Sequence, residues 1–160
     1  MIHINVISVG KLKEKYLKDA IEEYSKRLSK YCKLNIVELQ DESLPGKINE
    51  NLAKDIKKKE GEKILEAFKE QSYVISLDLK GKEISSEDFS EKIQNIATKG
   101  FSEITFIIGG TLGLDDLVLQ KSNELICFSK MTFPHQLIRV FLLEQIFRGF
   151  KIANNETYHW

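Results

Sequence analysis

Apolar residues gather along the chain in five short runs, at residues 4–9, 34–39, 73–79, 103–108 and 125–129. Each is rich in branched or aromatic side chains and bounded by polar or glycine-containing stretches, the pattern of a buried strand. Between the first two runs, Tyr16, Leu17, Ala20, Ile21, Tyr24, Leu28 and Tyr31 recur at steps of three and four, with lysines and glutamates filling the gaps. That spacing predicts an amphipathic helix with one stripe to bury. A second helix is expected over about residues 50–68, with Leu52, Ile56, Ile64, Leu65 and Phe68 inward and Lys57, Lys58 and Lys59 outward. A third, shorter helix follows Ser85-Ser86, whose hydroxyls can cap its start, and carries Phe89, Ile93 and Ile96.

Strands and helices therefore alternate along the whole length. Parallel neighbours need helical crossovers of this kind, so the pattern predicts one α/β domain over residues 1–160, a parallel sheet covered on both faces. Residues 40–49, punctuated by Pro45-Gly46, read as a surface loop within that domain. The last helix, from Gln136 to about Ile152, differs from the others. Leu137, Ile138, Val140, Phe141, Leu142, Leu143, Ile146, Phe147, Phe150 and Ile152 are too many apolar positions for a single stripe. Two faces need cover, either from the rest of the monomer or from a second copy in an isologous dimer.

Composition narrows the function classes. Lysine plus arginine and aspartate plus glutamate are 24 each, so no long-range field draws in polyanions and any nucleic-acid contact is local. Cys32 and Cys127 lack Cys-x-x-Cys or Cys/His spacing, so no metal site is expected, and buried thiols in a reducing, cytoplasmic setting are the simplest reading. The opening Met1-Ile2-His3-Ile4-Asn5-Val6 alternates into a strand rather than forming a signal peptide. No apolar run approaches the roughly 20 residues that span a bilayer, so a soluble protein with no membrane partner is expected.

In a parallel sheet, ligands bind beyond the carboxyl ends of the strands. Three loops qualify: Leu77-Asp78-Leu79-Lys80-Gly81-Lys82, Gly109-Gly110-Thr111-Leu112-Gly113-Leu114, and Phe128-Ser129-Lys130-Met131-Thr132-Phe133-Pro134-His135. The glycines let backbone approach a ligand closely and present N–H donors. Their spacing, after the fourth strand, matches neither the dinucleotide fingerprint nor a Walker loop. Pro134 suits the first turn of the last helix, which leaves residues 129–133 as an extended approach able to read an adenine ring by main-chain hydrogen bonds. Leu77 and Met131 would be apolar walls, although for Met131 taken alone core packing is the simpler account. Arg139, Glu144 and Arg148 interrupt the oily last helix, and Glu144 and Arg148, four apart, can simply pair. His135 can be a capping histidine. Tyr158-His159-Trp160 can be a frayed end, or can stack on bases and move a proton.

At these residues the sequence resembles the RlmH group of SPOUT methyltransferases. The likeness runs from Ile7-Ser8-Val9-Gly10-Lys11-Leu12-Lys13 through Glu60-Gly61-Glu62, Leu77-Asp78 and Ile108-Gly109-Gly110-x-x-Gly113-Leu114. It continues through Ser129-x-Met131-Thr132-x-Pro134-His135, Arg139, Glu144-Gln145-x-x-Arg148 and Tyr158-His159. The resemblance implies a three-layer α/β sandwich whose C-terminal part forms a deep trefoil knot. It also implies a homodimer that methylates N3 of a pseudouridine in large-subunit ribosomal RNA, within the assembled ribosome.

By the same resemblance, S-adenosylmethionine contacts fall on Leu77, Gly109, Gly110, Phe128, Ser129, Lys130, Met131, Thr132 and Phe133. Catalytic roles fall on His159, Tyr158, Glu144 and Arg148: His159 or Glu144 to take or relay the imide proton, Tyr158 to stack on the base, Arg148 together with Arg139 to hold phosphate or a developing oxyanion. Arg139, His135 and Trp160 are the expected RNA contacts, Trp160 standing where the family usually carries a basic residue. The competing expectation is a non-catalytic, ribosome-associated factor that keeps the fold.

Overall fold

The computed structural model describes residues 1–158; His159 and Trp160, a catalytic and an RNA-contact expectation, lie outside the described residues. In chain order the elements are β1 (His3–Val9), α1 (Lys15–Leu28), β2 (Lys33–Leu39), α2 (Glu50–Ala67) and β3 (Tyr73–Glu83). There follow α3 (Ser86–Thr98), β4 (Glu103–Ile108), α4 (Asp116–Lys121), β5 (Glu124–Cys127) and α5 (His135–Ala153). The strands form one sheet in the order β2-β1-β4-β3-β5, with every pairing parallel.

Alternation along the strands divides the core in two. Ile4 and Val6 of β1, with Ile104, Phe106 and Ile108 of β4, face one side and meet Leu28 of α1, Phe89 and Ile93 of α3, and Leu142, Leu143 and Ile146 of α5. The intervening residues Ile7, Val9 and Ile107 face the other side and meet Ile64 of α2 and Val118 of α4. Helices thus cover both faces.

Local chemistry sets the helix starts. The Asn49 side chain accepts the Leu52 N–H at the head of α2, and Ser85 Oγ accepts the Asp88 N–H at 3.0 Å at the head of α3. The sequence reading had no counterpart for α4, a six-residue helix whose N-cap Asp115 accepts the Leu117 N–H.

One close approach shapes the end of the molecule that matters for function. Ile126 of β5 pairs with both Leu77 and Lys82 of β3, so residues 78–81 leave the ladder and return to it. At the return a Cβ on Gly81 would stand 2.6 Å from the Ile126 backbone, a position only glycine can fill. On the face covered by α1, α3 and α5, Ser90 Oγ donates to the Gly149 carbonyl at 2.6 Å, seating α5 against α3.

The surplus apolar surface of α5 is largely absorbed within the chain. Leu142, Leu143, Ile146, Phe147 and Phe150 are buried, and Phe147 makes edge contacts with the rings of Tyr24 and Tyr31. Leu137, Ile138, Val140 and Phe141 remain half-buried, next to exposed Met131 and Phe133.

Candidate functional site

The excursion of residues 78–81 within β3 and the loops after β4 and β5 converge beside one another, since β4, β3 and β5 are adjoining parallel strands. They enclose a cleft of about 460 Å³, within the usual range for a small-molecule site. Leu77, Gly109, Gly110, Phe128, Ser129, Met131, Thr132 and Phe133 all line it, and so does His135. Lys130 is exposed and is not among the lining residues, so of the nine positions expected at the cofactor it alone stands apart.

Each wall has a physical cause. After β4 the chain turns back on itself: Gly113 N–H donates to the Gly110 carbonyl at 3.1 Å, and Gly113 has φ of 88°, where glycine carries no side-chain penalty. A Cβ on Gly109 would lie 2.9 Å from the Gly113 backbone, so the turn closes only on a bare α-carbon. After β5 the Met131 N–H donates to Ser129 Oγ and the Cys127 thiol donates to the Ser129 carbonyl, both at 3.0 Å, which fixes the bend of the third loop. Ile108, Ile126 and Ile138 supply apolar surface, while Lys57, Asp78, Lys80 and Asp116 supply the charge. Burial and the neighbouring Arg139 hold the His135 imidazole below its ordinary pKa, against the pull of Asp41.

The expected RNA contact Arg139 is placed differently from the sequence reading. Its side chain is 3% exposed, and its guanidinium donates to Glu38 Oε2, the Val9 carbonyl and the Gly10 carbonyl, each at 2.9 Å. In this fold Arg139 ties the head of α5 to the ends of β1 and β2, and its Nε is buried without a hydrogen-bond partner among the described residues. It reads as a surface charge in sequence because its partners lie about a hundred residues or more upstream.

Glu144, Arg148 and Tyr158 do come together, away from the cleft. Arg148 Nη2 stands 2.7 Å from Glu144 Oε1, Tyr158 donates to Glu144 Oε2 at 2.7 Å, and the Arg148 guanidinium lies 4.8 Å from the centre of the Tyr158 ring. Burial and the Glu144 carboxylate raise the Tyr158 phenol above its ordinary pKa. At about 1.5 Å per helical residue, Glu144 lies roughly 13 Å along α5 from His135, and none of the three lines the cleft of its own chain.

Sequence reasoning missed Glu60. It is 5% exposed, with Oε2 accepting the Glu42 N–H at 3.1 Å and Oε1 without a hydrogen-bond partner among the described residues. The signal was present: Ile56, Glu60 and Ile64 stand four apart, which puts a carboxylate in the buried stripe of α2. Among the described residues no cluster suits a metal ion, and no helix is long and apolar enough to cross a membrane.

Comparison with known proteins agrees with this architecture. The family profile described as "Predicted SPOUT methyltransferase" matches residues 2–159. The "Ribosomal RNA large subunit methyltransferase H" of Clostridium botulinum (strain Alaska E43 / Type E3) is 63% identical over 158 residues, 99% of each chain. The protein of the same name from Clostridium acetobutylicum is 61% identical over the same span, again 99% of each chain. A solved structure of a probable methylase family protein from Haemophilus influenzae Rd KW20 superposes with a TM-score of 0.55 at 13% identity, covering 98% of this chain and 70% of that one, a likeness of fold. With a full-length match of this kind over a parallel sheet whose strand-end loops enclose a ligand-sized cleft, the chain belongs to the SPOUT methyltransferase family.

Proposed function

We propose that this protein transfers a methyl group from S-adenosylmethionine to N3 of a pseudouridine in large-subunit ribosomal RNA, in the cytoplasm, as a homodimer with a deep trefoil knot at its C-terminal end. The observation that carries the reading is the convergence of residues 77–80 of β3 and the loops after β4 and β5 on one cleft, where Gly109, Gly110, Ser129, Met131 and Thr132 stand beside the apolar walls of Leu77 and Ile126. The residues present fit the donor: the volume is adequate, the glycines open the main chain, and aliphatic surface can take an adenine ring. When bound, S-adenosylmethionine supplies a methyl group already activated on a sulfonium, so the protein's task is alignment for in-line attack. The names of the relatives support ribosomal RNA as the acceptor.

The knot rests on the family to which the chain belongs. The homodimer rests on two features. Half-buried Leu137, Val140 and Phe141 adjoin exposed Met131 and Phe133 at the rim of the cleft, an apolar surface for a second copy. Glu144, Arg148 and Tyr158 are remote from the cleft of their own chain, so the tail of a partner is the economical source of a base-stacking tyrosine and of His159 as proton acceptor. In this reading Arg148 and Tyr158 hold Glu144 by both carboxylate oxygens, which leaves His159 the better base.

Incubation of purified protein with ribosomes and methyl-labelled donor, followed by mass spectrometry of the RNA nucleosides, tests the proposal. Labelled N3-methylpseudouridine in the large-subunit RNA is the expected product, and His159→Ala should slow single-turnover transfer while leaving donor affinity intact. Donor binding by calorimetry with no transfer to ribosomes or RNA would favour the non-catalytic ribosome-associated factor. Absence of donor binding would refute both the cofactor and the reaction.

A further inference from the structure

A second, small cleft adjoins the first. It is lined by Val9, Asp41, Glu42, Leu44 and Glu60, and it shares Gly110, Thr111, Leu112 and His135 with the larger cleft. Its free volume of about 20 Å³ accommodates one small polar group. Glu60 Oε1 is the feature that asks for one. A buried carboxylate oxygen without a donor is costly, and folds retain such atoms where something arrives to meet them. Oε2 already serves a structural purpose, since it accepts the Glu42 N–H and ties the loop after β2 to α2. Oε1 has no partner among the described residues, and the nearest obstruction on the side of the larger cleft is missing. A Cβ on Gly110 would stand 3.1 Å from Oε1, so the bare α-carbon leaves the oxygen approachable.

Apart from His135, the ionisable residues that line this cleft, Asp41, Glu42 and Glu60, are all acidic. Lys63 is engaged with Glu42 and Arg139 with Glu38, while Asp41 and Glu60 have no ion pair among the described residues. The site therefore suits a compact cation with several N–H donors, which is an ammonium group. Resting on the donor assignment proposed above, we infer that Glu60 Oε1 receives the α-ammonium group of the methyl donor's amino-acid end, reached past Gly110, and so distinguishes an intact donor from a nucleoside. The adenosine end then occupies the larger cleft, and the amino-acid end points toward α2.

Calorimetry with three neutral-sulfur ligands tests this on the intact protein: S-adenosylhomocysteine, its analogue with hydrogen in place of the α-amino group, and 5′-methylthioadenosine, which lacks the amino-acid end altogether. One charge-assisted hydrogen bond gives the wild type a preference of about tenfold or more for S-adenosylhomocysteine over the deaminated analogue. Glu60→Gln should reduce that preference to less than about twofold and leave methylthioadenosine affinity unchanged, because the analogue never reaches Oε1. Equal affinity of the wild type for the amino and deaminated ligands overturns the inference without any variant, and leaves the donor site standing. Equal loss of all three ligands in Glu60→Gln also overturns it, since Glu60 would then only shape the loop. Failure of the wild type to bind any of them removes the donor assignment itself, and this inference with it.

Discussion

Replacement of Gly81 by alanine is the sharpest test of how the cleft is built. A Cβ there would lie 2.6 Å from both the carbonyl carbon and the nitrogen of Ile126 and 2.7 Å from the carbonyl carbon of Leu125. Ordinary van der Waals contact between such atoms is about 3.5–4.0 Å, so the two strands must part by roughly 1 Å. No flexible side chain can yield, because all three obstructing atoms are main chain. Overpacking of this kind costs about 1–3 kcal/mol, and the upper end is expected here because the Lys82–Ile126 and Glu83–Cys127 pairings also loosen. Urea unfolding followed by circular dichroism, at matched protein concentration, should show a loss of about 3 kcal/mol, or roughly 6–12 °C in Tm for a chain of this size. Gly46 is the control: nothing lies within 4 Å of its Cβ position, so Gly46→Ala should be neutral or stabilising by about 0.4–1 kcal/mol through the unfolded chain. Indistinguishable stabilities for the two variants would refute the closure of residues 78–81 on β5.

Arg139→Met should lower stability by about 2–4 kcal/mol in urea unfolding, since it strands the Val9 and Gly10 carbonyls; weakened RNA binding at unchanged stability would instead restore Arg139 to the RNA surface. Glu60→Gln should raise Tm at neutral pH and flatten its pH dependence. Burial, reinforced by Asp41 and Glu42, holds the Glu60 carboxyl above its ordinary value, so its contribution to stability is present at low pH and is lost as pH rises from the ordinary glutamate range through the raised value. Thermal melts of wild type and variant from pH 4 to 8 that run parallel would contradict this. Cys32, whose thiol burial pushes up to about 12, should resist alkylation at pH 8 until the chain unfolds, whereas Cys127 at the cleft should react slowly and be protected by S-adenosylhomocysteine; mass spectrometry of alkylated peptides reads both. Tyr158→Phe removes the hydrogen bond to Glu144 and should slow methyl transfer several-fold with donor affinity unchanged, and a loss of donor affinity instead would argue against a role beyond the cleft.

Periodicity located the five strands and the four long helices, because both are set by local patterns of burial. The run at 103–108 matches β4 at both ends, and the last helix begins at His135, one residue before the expected Gln136. The six-residue α4 escaped because so short a helix leaves no periodic stripe, although Asp115 followed by Asp116 carried a capping signal. Strand order was not legible either: that β4 inserts between β1 and β3 depends on contacts across about a hundred residues, which no window contains. The loops of the cleft were legible from glycines and from the place of ligands in parallel sheets. The fate of individual charges was not, since Arg139 and Glu60 look alike on paper, as polar interruptions of apolar helices, yet one ties β1 and β2 to α5 through three hydrogen bonds and the other accepts a single one among the described residues, from the Glu42 N–H.

The order of strands also bears on how the protein is made. Because β1 lies between β2 and β4, only one edge of the first strand can be satisfied while the early half of the chain leaves the translating ribosome. Its second edge waits for residues 103–108, and β3 waits for β5 and for the helix beyond. Synthesis at about 5–20 residues per second leaves that nascent segment incomplete for several seconds. Folding is therefore concentrated after the last residues emerge, and the exposed strand edges in the interval are where chaperones would be needed.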